Sequence, residues 1–168
     1  PEPREEPAAD PNATMPDGIP AKLGEYDVRP VRIEKKDDGS VVLDGRTITG
    51  FRPDQACAAG IGRTFQIVKP FGELSVEENV LVGALAREKS VEAARSHARG
   101  VLRRLGLDGM AQRPARSLTL PDRKRLEVAR ALATRPSLLL LDEVLAGLRP
   151  TEVDQMVEVL RDLNRREG

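Results

Sequence analysis

The stretch "SLLLLDEVLAGLRPTE", residues 137–152, constrains this chain most: four consecutive leucines, Leu138 to Leu141, run straight into two adjacent carboxylates, Asp142 and Glu143. The leucine run is too short for a helix and apolar on both faces, so it reads as a buried central strand of a parallel sheet. Before it, "PDRKRLEVARALATRP" reads as a helix with Pro121 at an allowed first-turn position and Pro136 as its stop. After it, "PTEVDQMVEVLRDLNRRE" places Val153, Met156, Val157, Leu160 and Leu163 on one stripe, with Pro150 in the first turn. Helix, buried strand and helix in that order imply an α/β sheet. A parallel strand delivers the residues that follow it to the crevice at the sheet's carboxyl edge, where ligands of such folds bind. Two neighbouring carboxylates there suit a hydrated Mg²⁺ held by the first and a water oriented by the second, as phosphoryl transfer requires. On "LLLLDE" alone, a solvated acidic loop is an equal reading.

The remaining segments supply a helical insertion. Residues 1–24 are dense in Pro, Glu, Asp and Ala and read as a disordered tail, because they hold too little apolar surface to offset the entropy of ordering. The folded domain is expected over 25–168. "VRPVRIEKKDDGSVVLDGRTITG" gives short β-type runs around turns at Asp38-Gly39 and Asp44-Gly45. "PDQACAAG" reads as a short helix and "RTFQIV", 63–68, as a strand. Ser75, with Glu78 three residues on, is a capping-box start for a helix. "SVEAARSHARGVLRRLGL" continues a helical hairpin that Gly106 ends, so a helical subdomain is expected over about 72–134.

Charge excludes some functions. Lys+Arg and Asp+Glu balance at 27 each, so no global field attracts nucleic acid or anionic lipid. The "RKR" at 123–125 has no interleaved aromatic residues on which bases could stack, and reads as the solvated face of a helix. The single cysteine, Cys57, is expected to pack as a small apolar side chain. The N-terminal residues lack the pattern of a signal peptide, and no apolar run nears the roughly 20 residues that span a bilayer, so the chain is expected in the cytoplasm.

Four blocks occur in order: "GIGRTFQ" ending at Gln66, "FGELSVEENVLVGAL" over 71–85, "SLTLPDRKRLEVARALATRP" over 117–136, and "LLLLDE" with "AGLRPTE" over 146–152. The chain resembles the ATP-binding subunits of ABC transporters, within them most closely the branched-chain amino acid uptake branch, from about Gly39 to Gly168. The resemblance implies a partial P-loop NTPase domain of the ABC ATPase type with a helical insertion subdomain, using ATP and Mg²⁺. It implies that Gln66 reaches towards Mg²⁺ and the attacking water, that Asp142 is the metal-side aspartate, and that Glu143 is the general base. Leu118, Thr119, Leu120, Pro121 and Asp122 fall at the signature position, which contacts the γ-phosphate of ATP held mainly by the opposite subunit. Ala146, Gly147 and Leu148, with Arg149, match the loop along the dimer interface. The implied partners are the membrane permease subunits of an importer and a second ATPase subunit, identical or different, with no nucleic acid; the implied location is the inner face of the cell membrane. The short interval from Gln66 to Leu118 argues against chromosome-maintenance relatives, which insert a long coiled coil there.

Departures are also legible. No G-x-x-x-x-G-K-[ST] phosphate loop precedes "GSVVLDG", and "GALAREKS", 83–90, matches that template only with Glu88 in place of glycine. Leu120 and Pro121 stand where glycines are usual, and Pro121 has no N–H to offer a phosphate. His97 precedes the signature position and is expected on a helix surface, not as a switch histidine. These features predict a fragment that is inactive alone. The alternatives are a non-hydrolytic remnant that keeps the permease-docking surface, or a soluble helical adaptor. For docking, the segment Ile67 to Val80 combines Phe71, a turn at Gly72 and an acidic pair, Glu77 and Glu78, suited to a partner helix with an apolar anchor and a basic rim.

Overall fold

In a computed structural model, the structure describes residues 32–64 and 69–167, side chains through 163, and the short backbone stretches 22–23 and 26–27. The chain divides into two units: residues 31–160, and residues 1–30 with 161–168. In the second, β1 (Lys22–Leu23) pairs antiparallel with β2 (Tyr26–Asp27). Apart from Lys22 and Leu23, the tail expected over 1–24 lies outside the described residues.

The larger unit begins with three antiparallel strands, β3 (Ile33–Lys35), β4 (Val41–Leu43) and β5 (Arg46–Thr47). Their turns follow local chemistry. Asp38 Oδ1 accepts the Ser40 N–H at 2.8 Å. Asp44 and Gly45 both have positive φ, 48° and 79°, as a tight two-residue hairpin demands. The short helix α1 (Pro53–Ala58) leads into β6 (Ile61–Arg63).

Three helices form the main core. Ser75 caps α2 (Val76–Ala84): its side chain accepts the Glu78 N–H while the Glu78 carboxylate reaches back to the Ser75 N–H at 2.7 Å. Ser90 caps α3 (Val91–Arg104), and Gly106, at φ 66°, turns the chain out of it. Thr119 caps α4 (Leu120–Leu132), with Pro121 in its first turn. Helix α2 packs against both α3 and α4. Val76, Val80 and Ala84 of α2, Ala94, Ala98, Val101 and Leu102 of α3, and Leu126, Val128 and Ala129 of α4 are all fully buried and supply the aliphatic core. Gly83 makes the approach of α2 to α4 possible, since a Cβ there would lie 2.5 Å from the Arg130 carbonyl oxygen. The fragment "GALAREKS" is therefore the end of α2 and a following turn, and Glu88 in it binds Arg135 at 2.6 Å.

Strand β7 (Leu138–Leu140) pairs parallel with β6, Ile61 opposite Leu138 and Arg63 opposite Leu140. Together these elements make a mixed α/β architecture. The leucine run is less enclosed than its sequence predicts: Leu140 and Leu141 are 44% and 40% exposed, because β6 is the only strand that pairs with β7 among the described residues. The strand expected over 63–68 ends at Arg63 as β6, and 65–68 lie outside the described residues. Helix α5 (Pro150–Glu167) follows, with Met156 and Leu163 buried on its apolar stripe. No described helix is long and apolar enough to cross a membrane.

Candidate functional site

The end of β7 is stitched to the end of β6. Thr64 N–H donates to the Leu140 carbonyl at 3.0 Å, and its Oγ1 accepts the Asp142 N–H at 2.8 Å. One residue back, at the end of β6, an Arg63 guanidinium N–H donates to Asp142 Oδ2 at 2.9 Å. The Asp142 carboxylate is thus held by a cation from the neighbouring strand, in a partly exposed pair whose attraction is screened by water.

Glu143 sits in the left-handed region at φ 47°, a conformation that costs an L-residue about 1–2 kcal/mol. Two donors converge on its carbonyl oxygen: Ala146 N–H and Lys124 Nζ, each at 3.0 Å. A hydrogen bond from a charged donor contributes about 1.5–3 kcal/mol, enough to offset that strain. Lys124 is 5% exposed, so the "RKR" triplet is not the solvated face that its charge suggested. Arg123 Nε donates to the Leu118 carbonyl at 3.1 Å, and Arg125 donates to Gln155 at 3.3 Å. The signal for Lys124 was present: at helical spacing it shares the apolar stripe of Val128 and Ala131.

Helix α4 begins in the same place. Leu118 is buried, and Thr119 Oγ1 donates to Asp122 Oδ2 at 2.6 Å. Leu120 is exposed beside Gly147, where a Cβ would stand 3.4 Å from its side chain. Gly147 has φ 78°, and Ala146 and Leu148 complete the turn, with Leu148 N–H bound to the Leu145 carbonyl at 3.3 Å. Arg149 lies at the start of α5 and pairs with Glu152, which holds the Glu152 carboxyl below its ordinary range. Residues 118–122 and 142–148 are therefore brought together at one edge of the fold. Gln66 lies outside the described residues.

A second feature lies at the start of α2. Asn79, fully buried, accepts the Phe71 N–H at 2.9 Å through Oδ1, and its Nδ2 donates to the carbonyls of Phe71 (3.0 Å) and Ser75 (2.9 Å). This fixes the loop 71–75, which also runs along 111–116 through Ala115 N–H to the Leu74 carbonyl and Val76 N–H to the Arg113 carbonyl. Phe71 remains 46% exposed, with the Arg130 guanidinium 4.8 Å from its ring centroid. The expected acidic rim is only half present. Glu78 is exposed, but Glu77 is 2% exposed and turned inward onto Arg95 (2.7 Å), Arg99 (3.0 Å) and Gln112 (3.3 Å). His97 is also buried, at 4% exposure, on the inner stripe of α3, so it is not a surface residue. Cys57 is half-buried and free.

A parallel strand pair carrying acidic residues at its carboxyl edge, with a helical unit between the two strands, is the frame of an α/β fold with a ligand crevice at the strand ends. The family model described as ABC transporter matches residues 31–146, and the chain belongs to the ABC transporter family. It is 35% identical over 144 residues to the high-affinity branched-chain amino acid transport ATP-binding protein LivG of Escherichia coli K12, covering 77% of this chain and 56% of that protein. It is 34% identical over 140 residues to the corresponding protein BraF of Pseudomonas aeruginosa, covering 74% and 55%. Both of these relatives are named for branched-chain amino acid transport, the branch that the four sequence blocks resemble. The solved ADP conformation of MJ1267, an ATP-binding cassette of an ABC transporter, superposes with a TM-score of 0.67 at 28% identity, over 80% of this chain and 58% of that one. The chain spans about half the length of the relatives it matches.

The family implies ATP and Mg²⁺, and the described residues do not fit them unaided. Asp142 already accepts from Arg63. Among the described residues no group of three or more His, Cys, Asp or Glu side chains could hold a metal ion. The first turn of α4 is capped by Thr119 and carries the Asp122 carboxylate, which repels phosphate, and Pro121 offers no N–H.

Proposed function

We propose that this chain is the ATP-binding, energy-coupling subunit of an importer for branched-chain amino acids, held on the inner face of the cell membrane by permease subunits and paired with a second ATPase subunit. The observation that supports the reading is the meeting of the start of α4 with the loop 142–148, where Leu120 lies beside Gly147 and Lys124 Nζ donates to the Glu143 carbonyl. In this reading Asp142, once released by Arg63, and Gln66 would hold Mg²⁺, and Glu143 would serve as the general base. Leu118 to Asp122 present one side of an ATP site whose phosphates are cradled by the opposite subunit, and Ala146 to Leu148 line the contact between subunits. A composite site of this kind asks no described residue of the chain to cradle phosphate alone. The domain assignment follows: a helical subdomain over about 72–134 within the ATPase domain of 25–168.

The Arg63–Asp142 pair favours a second reading, in which the chain keeps only its docking surface and never hydrolyses ATP. Co-expression with permease subunits and a partner ATPase subunit separates the two. ATP hydrolysis by the isolated complex that is abolished by Glu143→Gln, with ATP still bound, supports the first. An intact complex whose turnover is unchanged by Glu143→Gln removes Glu143 from its role, and one with no turnover supports the second.

A further inference from the structure

We infer that Lys124 is the positioning residue for Glu143: its buried ammonium holds the Glu143 backbone in the left-handed conformation and couples the turn 143–148 to the first turns of α4. Three observations converge. Lys124 is almost fully buried on the inner stripe of α4, and a buried ammonium needs acceptors. The acceptor it has is the Glu143 carbonyl at 3.0 Å, nineteen positions along the chain. Glu143 is a non-glycine residue at φ 47°, a conformation that persists only where the surroundings over-determine it. The Ala146 N–H shares the same carbonyl, so losing the ammonium loosens the whole turn, including Gly147 against Leu120. Any partner or ligand contact that shifts residues 119–122 therefore moves Glu143 through one side chain. The catalytic meaning of this link rests on the proposed role of Glu143; the positional claim does not.

The test is amide hydrogen exchange on the full chain, comparing Lys124→Met and Lys124→Arg, each with and without Glu143→Gly. Lys124→Met should speed exchange at the Ala146 amide by about tenfold, with the most protected amides of α2 and α3 unchanged. Lys124→Arg, which keeps a charged donor, should restore most of the protection. Glycine carries no penalty at positive φ, so in the Glu143→Gly background the Met substitution should change Ala146 exchange by less than about threefold. If Lys124→Met does not fold, Lys124→Gln takes its place in the same comparison. An equal effect in both backgrounds, no effect at Ala146, or a uniform rise across the chain would overturn the inference. In the assembled transporter complex, Lys124→Met should lower kcat with KM little changed. A wild-type complex without turnover would count against the proposed function while leaving the exchange result to decide the role of Lys124.

Discussion

The Glu77 carboxylate, buried on α2, is clamped by Arg99 of α3, whose Nε donates to Oε2 at 3.0 Å. Arg95 binds the other oxygen at 2.7 Å. Burial pushes the Glu77 carboxyl pKa up, but the hydrogen bonds and charges of Arg99 and Arg95 outweigh it and hold the group below its ordinary value. The lowered folded-state pKa means the stabilisation is complete above the unfolded value, about 4.3, and is lost as pH falls through the folded value. Glu77→Gln should therefore cost about 1–3 kcal/mol at pH 7 by urea denaturation. The gap between variant and wild type should shrink below about pH 4. A gap that stays constant or widens in acid would show that ionised Glu77 is not what holds α2 to α3.

Gly83→Ala should destabilise the chain by about 1–3 kcal/mol, although alanine is the better helix former. The added Cβ would stand 2.5 Å from the Arg130 carbonyl oxygen, and that oxygen is backbone, so the helices must separate. A rise in thermal midpoint on this substitution would mean that α2 and α4 are not this close.

The features legible from sequence are those whose cause is local. The capping box of Ser75 and Glu78, the Asp44-Gly45 turn and the stop at Gly106 each depend on a few neighbouring residues, and each is found where expected. Three polar residues escaped because their environment is tertiary. Glu77, Lys124 and His97 lie at buried positions of helical stripes, where polarity argued for solvent and periodicity for the core. For Glu77 and Lys124 partners on other elements decided the matter: the α3 arginines with Gln112, and the Glu143 carbonyl. The pairing of Arg63 with Asp142 was equally hidden, since register between two strands separated by a helical insertion cannot be read from either strand.

Calorimetric titration of the isolated chain with Mg·ATP should give no measurable heat of binding. Asp142 is engaged by Arg63, and the first turn of α4 presents Asp122 and a proline to any phosphate. A micromolar dissociation constant would contradict this, and would place a phosphate cradle where the described residues show none.

Asn79→Ala should release the loop 71–75 by leaving the Phe71 N–H without its acceptor and removing one of the two donors on the Phe71 and Ser75 carbonyls, at a cost of about 1–3 kcal/mol. Proteolysis should then begin in that loop, while cleavage that starts elsewhere would deny Asn79 its role.

Docking to the permease is the most direct test of the proposed function. Phe71 is exposed, with its backbone held by the Asn79 side chain and its ring 4.8 Å from the Arg130 guanidinium, as suits an apolar anchor for a partner. The measurement is co-purification of the full chain with permease subunits of a branched-chain amino acid importer, without nucleotide, for wild type, Phe71→Ala and Arg32→Ala. Arg32 is 80% exposed and outside this surface. The expected result is retention of wild type and Arg32→Ala, with Phe71→Ala reduced about tenfold or more. Equal retention of all three chains, or none at all, would contradict the assignment of this chain to an importer through that surface.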